Sequence, residues 1–179
     1  MNPRFRRLLT YPFRAIEARI WPVRYARRIG VRINGKVTIY GSSYEMFSAE
    51  PYLVSLDDNV FISVGAQFVP HDGGVLPFRR EEPELDLAGP IRIGANTFVG
   101  MGAIVLKGVT IGPNSIIGAN AVVTKSFPEG GIIAGNPARL IKSTNEYLKS
   151  AREKSLKIGN LPEMEKHRAY KEIFGIDVE

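Results

Sequence analysis

Residues 93–128 consist of six consecutive hexapeptides in one phase, IGANTF, VGMGAI, VLKGVT, IGPNSI, IGANAV and VTKSFP. Each begins with Ile or Val, at positions 93, 99, 105, 111, 117 and 123. A period of six is a multiple of the two-residue alternation of a β-strand but not of the 3.6-residue helical turn. The apolar position therefore faces one side only if the chain is extended, and the repeat predicts short β-strands.

Two other positions of the repeat hold small residues. Glycine directly follows the apolar residue at positions 94, 100, 112 and 118. A small residue stands four positions after the apolar residue, namely Thr97, Ala103, Ser115 and Ala121. Glycine suits points where the chain turns or approaches another backbone closely. Short strands with a corner every six residues predict a β-solenoid of three faces, in which each coil stacks its apolar side chains on the next. Apolar residues at positions 33, 39, 56, 62 and 68 repeat the six-residue spacing less regularly. They indicate that the solenoid begins near residue 31.

Residues 72–90, DGGVLPFRREEPELDLAGP, interrupt the hexapeptides and are interpreted as an excursion loop. Long loops on a compact scaffold commonly carry function, and this loop directly follows His71, one of two histidines in the chain. The alternative is an insertion without a role.

Composition excludes several classes of protein. The chain has 179 residues and no cysteine, which excludes disulfide frameworks, thiolate nucleophiles and cysteine-ligated metal sites. The formal net charge is +6, but residues 1–32 contain nine arginines and only one acid, Glu17, so the remainder is net negative. Because the positive charge is confined to one terminal arm, we expect no nucleic-acid partner. No stretch is apolar enough to span a membrane. A cytoplasmic location is expected, with the inner face of the membrane as one option.

These features, together with the segments AVVTKSFPEG (residues 121–130) and AGNPARLIK (residues 134–142), resemble the hexapeptide-repeat acetyltransferases. The resemblance covers roughly residues 50–142 and is strongest to the branch of maltose, galactoside, antibiotic and polysaccharide O-acetyltransferases. It implies an all-β fold, a left-handed parallel β-helix, and a homotrimer with active sites between neighbouring subunits. It also implies acetyl-CoA as the cosubstrate and a sugar or cell-surface polysaccharide precursor as the acceptor.

A neutral histidine suits the general base that removes the proton of an acceptor hydroxyl, because its pKa lies near working pH. His71 is the candidate, since His167 lies in a charged segment that predicts a solvated helix face. Asp72 is taken as its carboxylate partner; Asp57 and Asp58 are further candidates that could equally be corner residues of the solenoid. A backbone amide in the turn of residues 100–102 is the predicted oxyanion donor.

The resemblance also implies a set of residues that bind the acetyl donor. The cations suit the phosphates of coenzyme A, and the smaller residues offer main-chain contacts. The set is Gly100, Met101, Ala119, Thr124, Lys125, Arg139 and Lys142. No metal site is expected. The segment YGSSYEMFSAEP (residues 40–51) lacks the asparagine that touches the sugar in maltose-type enzymes, which leaves the acceptor open.

The predicted organisation is a basic aromatic arm (residues 1–30), the β-helix with its loop (31–142) and a C-terminal helical extension (143–179). Helices are expected at 144–157 and 162–174. Pro12 and Pro22 are expected to break the arm into short pieces, and two hypotheses account for it. Residues 1–28 either contact an anionic membrane surface or form a helical arm packed on the open end of the solenoid.

Three other functions are considered. A zinc-dependent anhydrase on the same scaffold needs three histidine ligands, which two histidines do not supply. A solenoid that serves only as an assembly module would have no use for His71, Lys125 or Arg139. An amino-sugar N-acetyltransferase is chemically adjacent, because a free amine needs less activation than a hydroxyl.

Overall fold

The computed structural model describes residues 3–176, and the side chains of residues 11–176. The chain forms two compact units, residues 1–144 and residues 145–179. The first unit contains helices α1 (Pro3–Ile20) and α2 (Pro22–Ile29) and all the strands of the described chain. Helix α3 (Thr144–Lys154) begins at the end of the first unit, and α4 (Glu163–Phe174) lies in the second. These last two helices confirm the helical segments predicted at 144–157 and 162–174.

The strands are short. In chain order they are β1 (Arg32–Ile33), β2 (Val37–Ile39), β3 (Val54–Leu56), β4 (Val60–Ile62), β5 (Gln67–Val69), β6 (Ile91–Ile93), β7 (Phe98–Val99), β8 (Ile104–Leu106), β9 (Thr110–Ile111), β10 (Ile116–Ile117), β11 (Val122–Val123), β12 (Gly131–Gly135) and β13 (Ala138–Ser143). They form three sheets, with orders β1-β3-β6-β9, β2-β4-β7-β10-β12-β13 and β5-β8-β11. All neighbours are parallel except β12 and β13.

The strand register shows that the chain coils through the three sheets in turn. Ile93 pairs with Ile111, the apolar residue that begins the third hexapeptide after its own, so one coil takes three hexapeptides. Ile104 and Val122 repeat this spacing in the third sheet. The coil between β3 and β6 is longer than three hexapeptides by the length of the excursion loop, which it contains. The parallel coil of three faces predicted from the repeat is thereby confirmed.

The apolar position of every hexapeptide points into the coil. All six of these residues in 93–128 are at most 1% exposed, and so are Leu56, Ile62 and Phe68. The small residues are equally buried: Thr97, Ala103, Ser115 and Ala121 are 0% exposed. Their side chains fit the corners because the coil has least room there, and the Ser115 hydroxyl donates to the Gly112 carbonyl at 2.8 Å. Each coil therefore has large apolar side chains on its faces and small ones near its corners.

Asparagines form a ladder along the corner between the first and second sheets. Asn59, Asn96 and Asn114 stand above one another with φ of 57°, 56° and 57°. This left-handed conformation is one that asparagine tolerates better than most residues. The Asn59 side-chain amide donates to Asn96 at 2.8 Å, and Asn96 donates to Asn114 at 3.1 Å. The same side chain thus allows the turn and links successive coils.

The N-terminal helices are part of the first unit. Tyr25 and Ala26 of α2 are buried, and α2 packs against β2 and the 3₁₀ helix Pro51–Leu53. Pro22 starts α2, as a proline at the first turn can, but Pro12 lies inside α1, so the expectation that Pro12 breaks the arm was wrong. Proline removes one backbone donor yet has a φ compatible with a helix. Burial of Ala18 and the contact of Tyr11 with the Tyr44 ring hold the chain on both sides of Pro12.

Candidate active site

His71 lies at the corner where the chain leaves the third sheet for the first. We call this the third corner; it comprises residues 70–72, 107–109 and 124–126 of successive coils. The side chain of His71 is 35% exposed. Its neighbours hold it firmly, because His71 bridges Ala88 across the base of the excursion loop.

The imidazole of His71 contacts a carboxylate. Nδ1 lies 2.6 Å from Oε2 of Glu50, and both atoms are inaccessible to solvent. Neither atom has a well-aligned hydrogen-bond partner within the described chain, so the contact is a close approach of the imidazole to the carboxylate. A carboxylate only accepts, so this close approach favours the tautomer that has its hydrogen on Nδ1. Nε2 then carries the lone pair, which is the state that a general base requires.

Glu50 reaches His71 because of an insertion in the first coil. Ile33 pairs with Leu56, which lies farther along the chain than three hexapeptides would place it, so this coil is longer than a regular one. Within it, Phe47 stacks on Phe68 with ring centroids 5.3 Å apart. Glu50 stands three positions after Phe47, just as His71 stands three positions after Phe68. The contact therefore follows from the same stacking of the first coil beneath the second.

The carboxylate of Asp72, predicted as the partner of His71, makes its hydrogen bond and its ion pair with other groups. Its Oδ1 accepts the backbone N–H of Gly74 at 2.9 Å and caps the 3₁₀ helix Gly73–Phe78. Its Oδ2 pairs with Lys107 at 3.2 Å. The Gly74 N–H and then Lys107 stabilise the charged form and hold the pKa of Asp72 below its ordinary value of 3.8. The carboxylate that contacts His71 is Glu50, and Asp72 fixes the start of the loop instead.

The other two aspartates considered as partners of His71 are corner residues. Asp57 accepts from the side-chain amide of Asn34 at 3.2 Å, and Asp58 accepts from the backbone N–H of Lys36 at 2.6 Å. Both contacts link the first and second coils at the corner of the asparagine ladder. Neither aspartate faces the imidazole.

The excursion loop is closed at its base. The Asp72 N–H donates to Leu87 at 2.7 Å, and the Gly89 N–H donates to Pro70 at 2.8 Å. Farther out, Arg79 pairs with Asp86 at 2.7 Å and donates to the Leu85 carbonyl at 2.6 Å. The loop is thus held by its own contacts beside His71. Its apolar side chains Leu76 and Phe78 are more than half exposed.

The turn predicted to supply an oxyanion donor lies at another corner, where the chain passes from the second sheet to the third. The Gly100 N–H donates to Ile117 at 2.8 Å and the Gly102 N–H donates to Val64 at 3.1 Å, so neither is available. The Met101 N–H makes no hydrogen bond within the described chain, and its side chain is 60% exposed. Of the three amides, only that of Met101 has no hydrogen-bond partner within the described chain.

Gly100 itself is explained by packing. A Cβ at this position would lie 2.6 Å from the backbone nitrogen of Ala119, so the next coil leaves room for glycine alone. The same holds at Gly94 and Gly112, where a Cβ would overlap the backbone nitrogens of Pro113 and Glu129 in the next coil. The alternative weighed for these glycines, a requirement of the solenoid, is therefore supported by the geometry.

The residues expected to bind the acetyl donor are distributed over separate parts of the coil. Thr124 and Lys125 are exposed at the third corner, one coil beyond Lys107, and Lys125 lies over the Phe127 ring at 5.8 Å. Ala119 is exposed beside Met101, at the opposite edge of the third sheet from His71. Arg139 and Lys142 are exposed on β13, where Arg139 donates to the Ala138 carbonyl at 3.1 Å. Their roles in cofactor binding stay predictions.

One chain does not bring the candidate groups into a single cleft. Strand β8 of the third sheet, three residues and about 10 Å long, lies between Met101 and the third corner. A cavity of about 360 Å³ beside α1 is lined by Tyr11, Tyr44 and Gln67 among others, but not by His71. His167 is exposed on α4. Sequence reasoning missed Glu50, and the insertion in the first coil was the signal that could have revealed it.

Two kinds of feature are absent from the described residues. Among residues 3–176, no group of three His, Asp or Glu side chains is arranged to hold a metal ion. None of the helices in the same range is both long and apolar enough to cross a membrane.

Comparison with known proteins identifies the family to which the chain is similar. Residues 90–125 match the family described as bacterial transferase hexapeptide (six repeats). Protein CapG of Staphylococcus aureus is 47% identical over 121 residues, which are 68% of this chain and 70% of CapG. A 2,3,4,5-tetrahydropyridine-2,6-dicarboxylate N-acetyltransferase of Staphylococcus carnosus is 42% identical over 81 residues, 45% of this chain but only 33% of that protein.

Among solved structures, a maltose O-acetyltransferase from Clostridium difficile 630 is similar in fold. Its TM-score is 0.54 with 24% sequence identity, and the match covers 68% of this chain and 73% of that one. The repeat, the coil of three hexapeptides and the similarity to CapG over most of both chains agree with one another. The chain belongs to the bacterial hexapeptide-repeat transferase family, and it is an acyltransferase.

Proposed function

We propose that this protein transfers the acetyl group of acetyl-CoA to a hydroxyl of a saccharide, with His71 as the general base. The observation that carries the proposal is the 2.6 Å contact between His71 Nδ1 and Glu50, made by two atoms that solvent does not reach. A carboxylate in this position holds the imidazole in one tautomer and one orientation, with Nε2 as the proton acceptor. The saccharide acceptor, a precursor of a cell-surface polysaccharide, follows the branch of the family that the sequence resembles.

The reaction is an acyl transfer with one proton acceptor. Nε2 of His71 takes the proton of the acceptor hydroxyl as its oxygen attacks the thioester carbonyl. The tetrahedral oxyanion is stabilised by a backbone N–H, for which Met101 is the candidate donor. When the intermediate collapses, the C–S bond breaks, and the thiolate of coenzyme A receives the proton from His71. Glu50 stays ionised throughout and stabilises the imidazolium.

We infer that the active form is a homotrimer of left-handed coils with its sites between subunits, as the resemblance implies. The separation of His71 from Met101 within one chain supports this, because a neighbouring subunit could supply the second group. The exposed apolar side chains of Leu76, Phe78 and Met101 are also suited to burial between subunits. We expect the reaction to take place in the cytoplasm.

The proposed cosubstrate is acetyl-CoA. Relatives named acetyltransferases, among them the protein from S. carnosus, support the acetyl group. Lys125 and Arg139 are exposed, as cations that bind phosphates must be. Isothermal titration with acetyl-CoA tests this step alone. No binding at millimolar ligand would favour the assembly module, which has no use for these cations.

The experiment that tests the whole proposal measures release of free coenzyme A with a panel of sugars, nucleotide sugars and lipid-linked glycans. His71→Ala is expected to reduce the rate about 100- to 10,000-fold, the range typical of a general base. His167→Ala is the matched control, since it removes the other histidine, exposed on α4, and is expected to keep the wild-type rate. A His71→Ala variant as active as the wild type on every acceptor would refute the role of His71.

N-acetylation of an amino sugar is the second candidate, because the relative from S. carnosus is named an N-acetyltransferase. An amine needs less help from a base than a hydroxyl does. If the screen identifies an amino-sugar acceptor on which His71→Ala retains most of its rate, the N-acetyl alternative replaces the proposal.

A further inference from the structure

Helix α1 has an apolar stripe that faces away from the coil. Phe13, Ile16 and Ile20 follow one another at helical spacing and are 75%, 55% and 57% exposed. The opposite side of the helix is the one that packs, because Ala18 is 0% exposed and the Tyr11 ring meets the Tyr44 ring edge-on at 5.2 Å. The stripe is therefore not needed to attach α1 to the coil.

Arginines flank the stripe. Arg14 and Arg19 are exposed on its two sides, and neither makes an ion pair with any side chain of residues 11–176. Glu17, the acid within α1, is already shared by Arg28 at 2.7 Å and Arg24 at 3.8 Å. A second acid, Glu45, lines a cavity with Tyr11 and Ala15, on the side of α1 that packs. Since residues 1–32 contain nine arginines and one acid, while the rest of the chain is net negative, the positive charge is concentrated around this helix.

An aromatic side chain extends the stripe at the end of α1. Trp21, between α1 and α2, is 53% exposed, and the Arg24 guanidinium lies over its ring at 5.8 Å. Tryptophan and arginine are the side chains that suit the boundary between lipid headgroups and acyl chains. Because α1 does not meet the length and apolarity that crossing a bilayer requires, a helix of this pattern is suited to lie along the surface.

We propose that α1 docks the protein on an anionic lipid bilayer, with the stripe of Phe13, Ile16 and Ile20 inserted between headgroups and the arginines bound to lipid phosphates. A contact between two copies of α1 would bring arginines against arginines, which disfavours self-association through this helix. A nucleic acid would neutralise the arginines but would leave the apolar stripe exposed. An anionic bilayer satisfies both features at once.

The test is flotation of the purified protein, residues 1–179, with vesicles of phosphatidylcholine alone or mixed with phosphatidylserine. Binding is expected only with phosphatidylserine and is expected to weaken as salt rises. Arg14→Gln/Arg19→Gln should lower the partition coefficient about fivefold per arginine, or about 25-fold for the pair. Phe13→Ser/Ile20→Ser should also release the protein.

The controls carry the same changes away from the stripe. Arg168→Gln and Met164→Ser alter an exposed arginine and an exposed apolar side chain on α4, and both should float like the wild type. Point substitutions are preferable to deletion of residues 1–28, because Tyr25 and Ala26 are buried and their loss would expose the core. Release of coenzyme A with a water-soluble acceptor should be unchanged in the stripe variants, which separates this inference from the proposed reaction.

Three results would overturn the inference. Equal flotation with neutral and anionic vesicles would show that the arginines do not select the surface. Unchanged flotation of Phe13→Ser/Ile20→Ser would show that the stripe does not insert. A change of assembly mass in that variant without a loss of flotation would assign the stripe to contact between copies.

Discussion

Glu50→Gln tests whether the carboxylate beside His71 positions the base. Glutamine keeps the shape of the side chain but removes its charge, and its amide group can donate where the carboxylate only accepts. If the amide donates to Nδ1, the hydrogen of the imidazole moves to Nε2 and the base is lost. Since solvent reaches neither Nδ1 nor Oε2, no water replaces the missing acceptor.

The size of the effect follows from the contact. The 2.6 Å approach allows a hydrogen bond from Nδ1 to the carboxylate, which when aligned is of the kind that contributes about 1.5 to 3 kcal/mol. Each 1.36 kcal/mol changes a rate about tenfold, so a bond used fully to hold the productive tautomer predicts a loss of about 10- to 150-fold. This lies at or below the range expected for removal of His71 itself.

The assay is kcat and KM for coenzyme A release, with the acceptor that the screen identifies. Glu50→Gln should lower kcat and leave the KM for acetyl-CoA near its wild-type value, because the substitution affects the base and not the donor site. Asp57→Asn is the matched control: it makes the same chemical change at a corner carboxylate that bonds Asn34. Glu50→Gln with wild-type kcat, in a preparation where His71→Ala is inactive, would refute the positioning role.

Three further predictions concern packing and the loop. Gly100→Ala should lower the free energy of unfolding, measured in urea, by about 1–3 kcal/mol. Gly73→Ala is the control and should change it little, because its Cβ would meet Leu76 at an ordinary 3.7 Å. Equal free energies of unfolding for the two variants would contradict the close approach of the coils at Gly100. Phe68→Ala should cost about 3–5 kcal/mol, measured by calorimetry, because it removes a fully buried ring stacked on Phe47. Folding lowers the pKa of the Asp72 carboxyl, so its bonds to the loop are present above pH 3.8 and are lost as the pH falls through the folded pKa. The NMR shift of the Gly74 amide should therefore titrate with a midpoint below 3.8. A midpoint above 3.8 would contradict the capping role of Asp72.

The sequence predicted the fold well because short-range spacing within the hexapeptide repeat is enough to specify the coil. An apolar residue every six positions indicates extended strands and the face that each strand buries, and the residues at positions 93, 99, 105, 111, 117 and 123 all proved buried. The spacing of three hexapeptides per coil needs no information from elsewhere in the chain. Handedness is different, since a period of six is the same in a left-handed and a right-handed coil.

The sequence was less informative about the site. His71 could be found because it stands where the excursion loop interrupts the hexapeptides. Its partner Glu50 belongs to the preceding coil, where an insertion obscures the six-residue spacing. The three aspartates considered were chosen by closeness along the chain. In a solenoid, however, the nearest side chains in space come from the coil above or below, and the register of the first coil becomes visible only through the stacking of Phe47 on Phe68.

Because hydrogen bonds close the base of the excursion loop, the length of that loop does not affect the rest of the molecule. Bonds from Asp72 to Leu87 and from Gly89 to Pro70 bring the chain back to its starting point before β6 begins. Residues could be inserted or deleted between these two pairs without shifting any later strand or moving the imidazole. This corner is therefore a natural graft point, where exchange of one segment between homologous enzymes could alter the choice of acceptor while folding and catalysis continue unchanged.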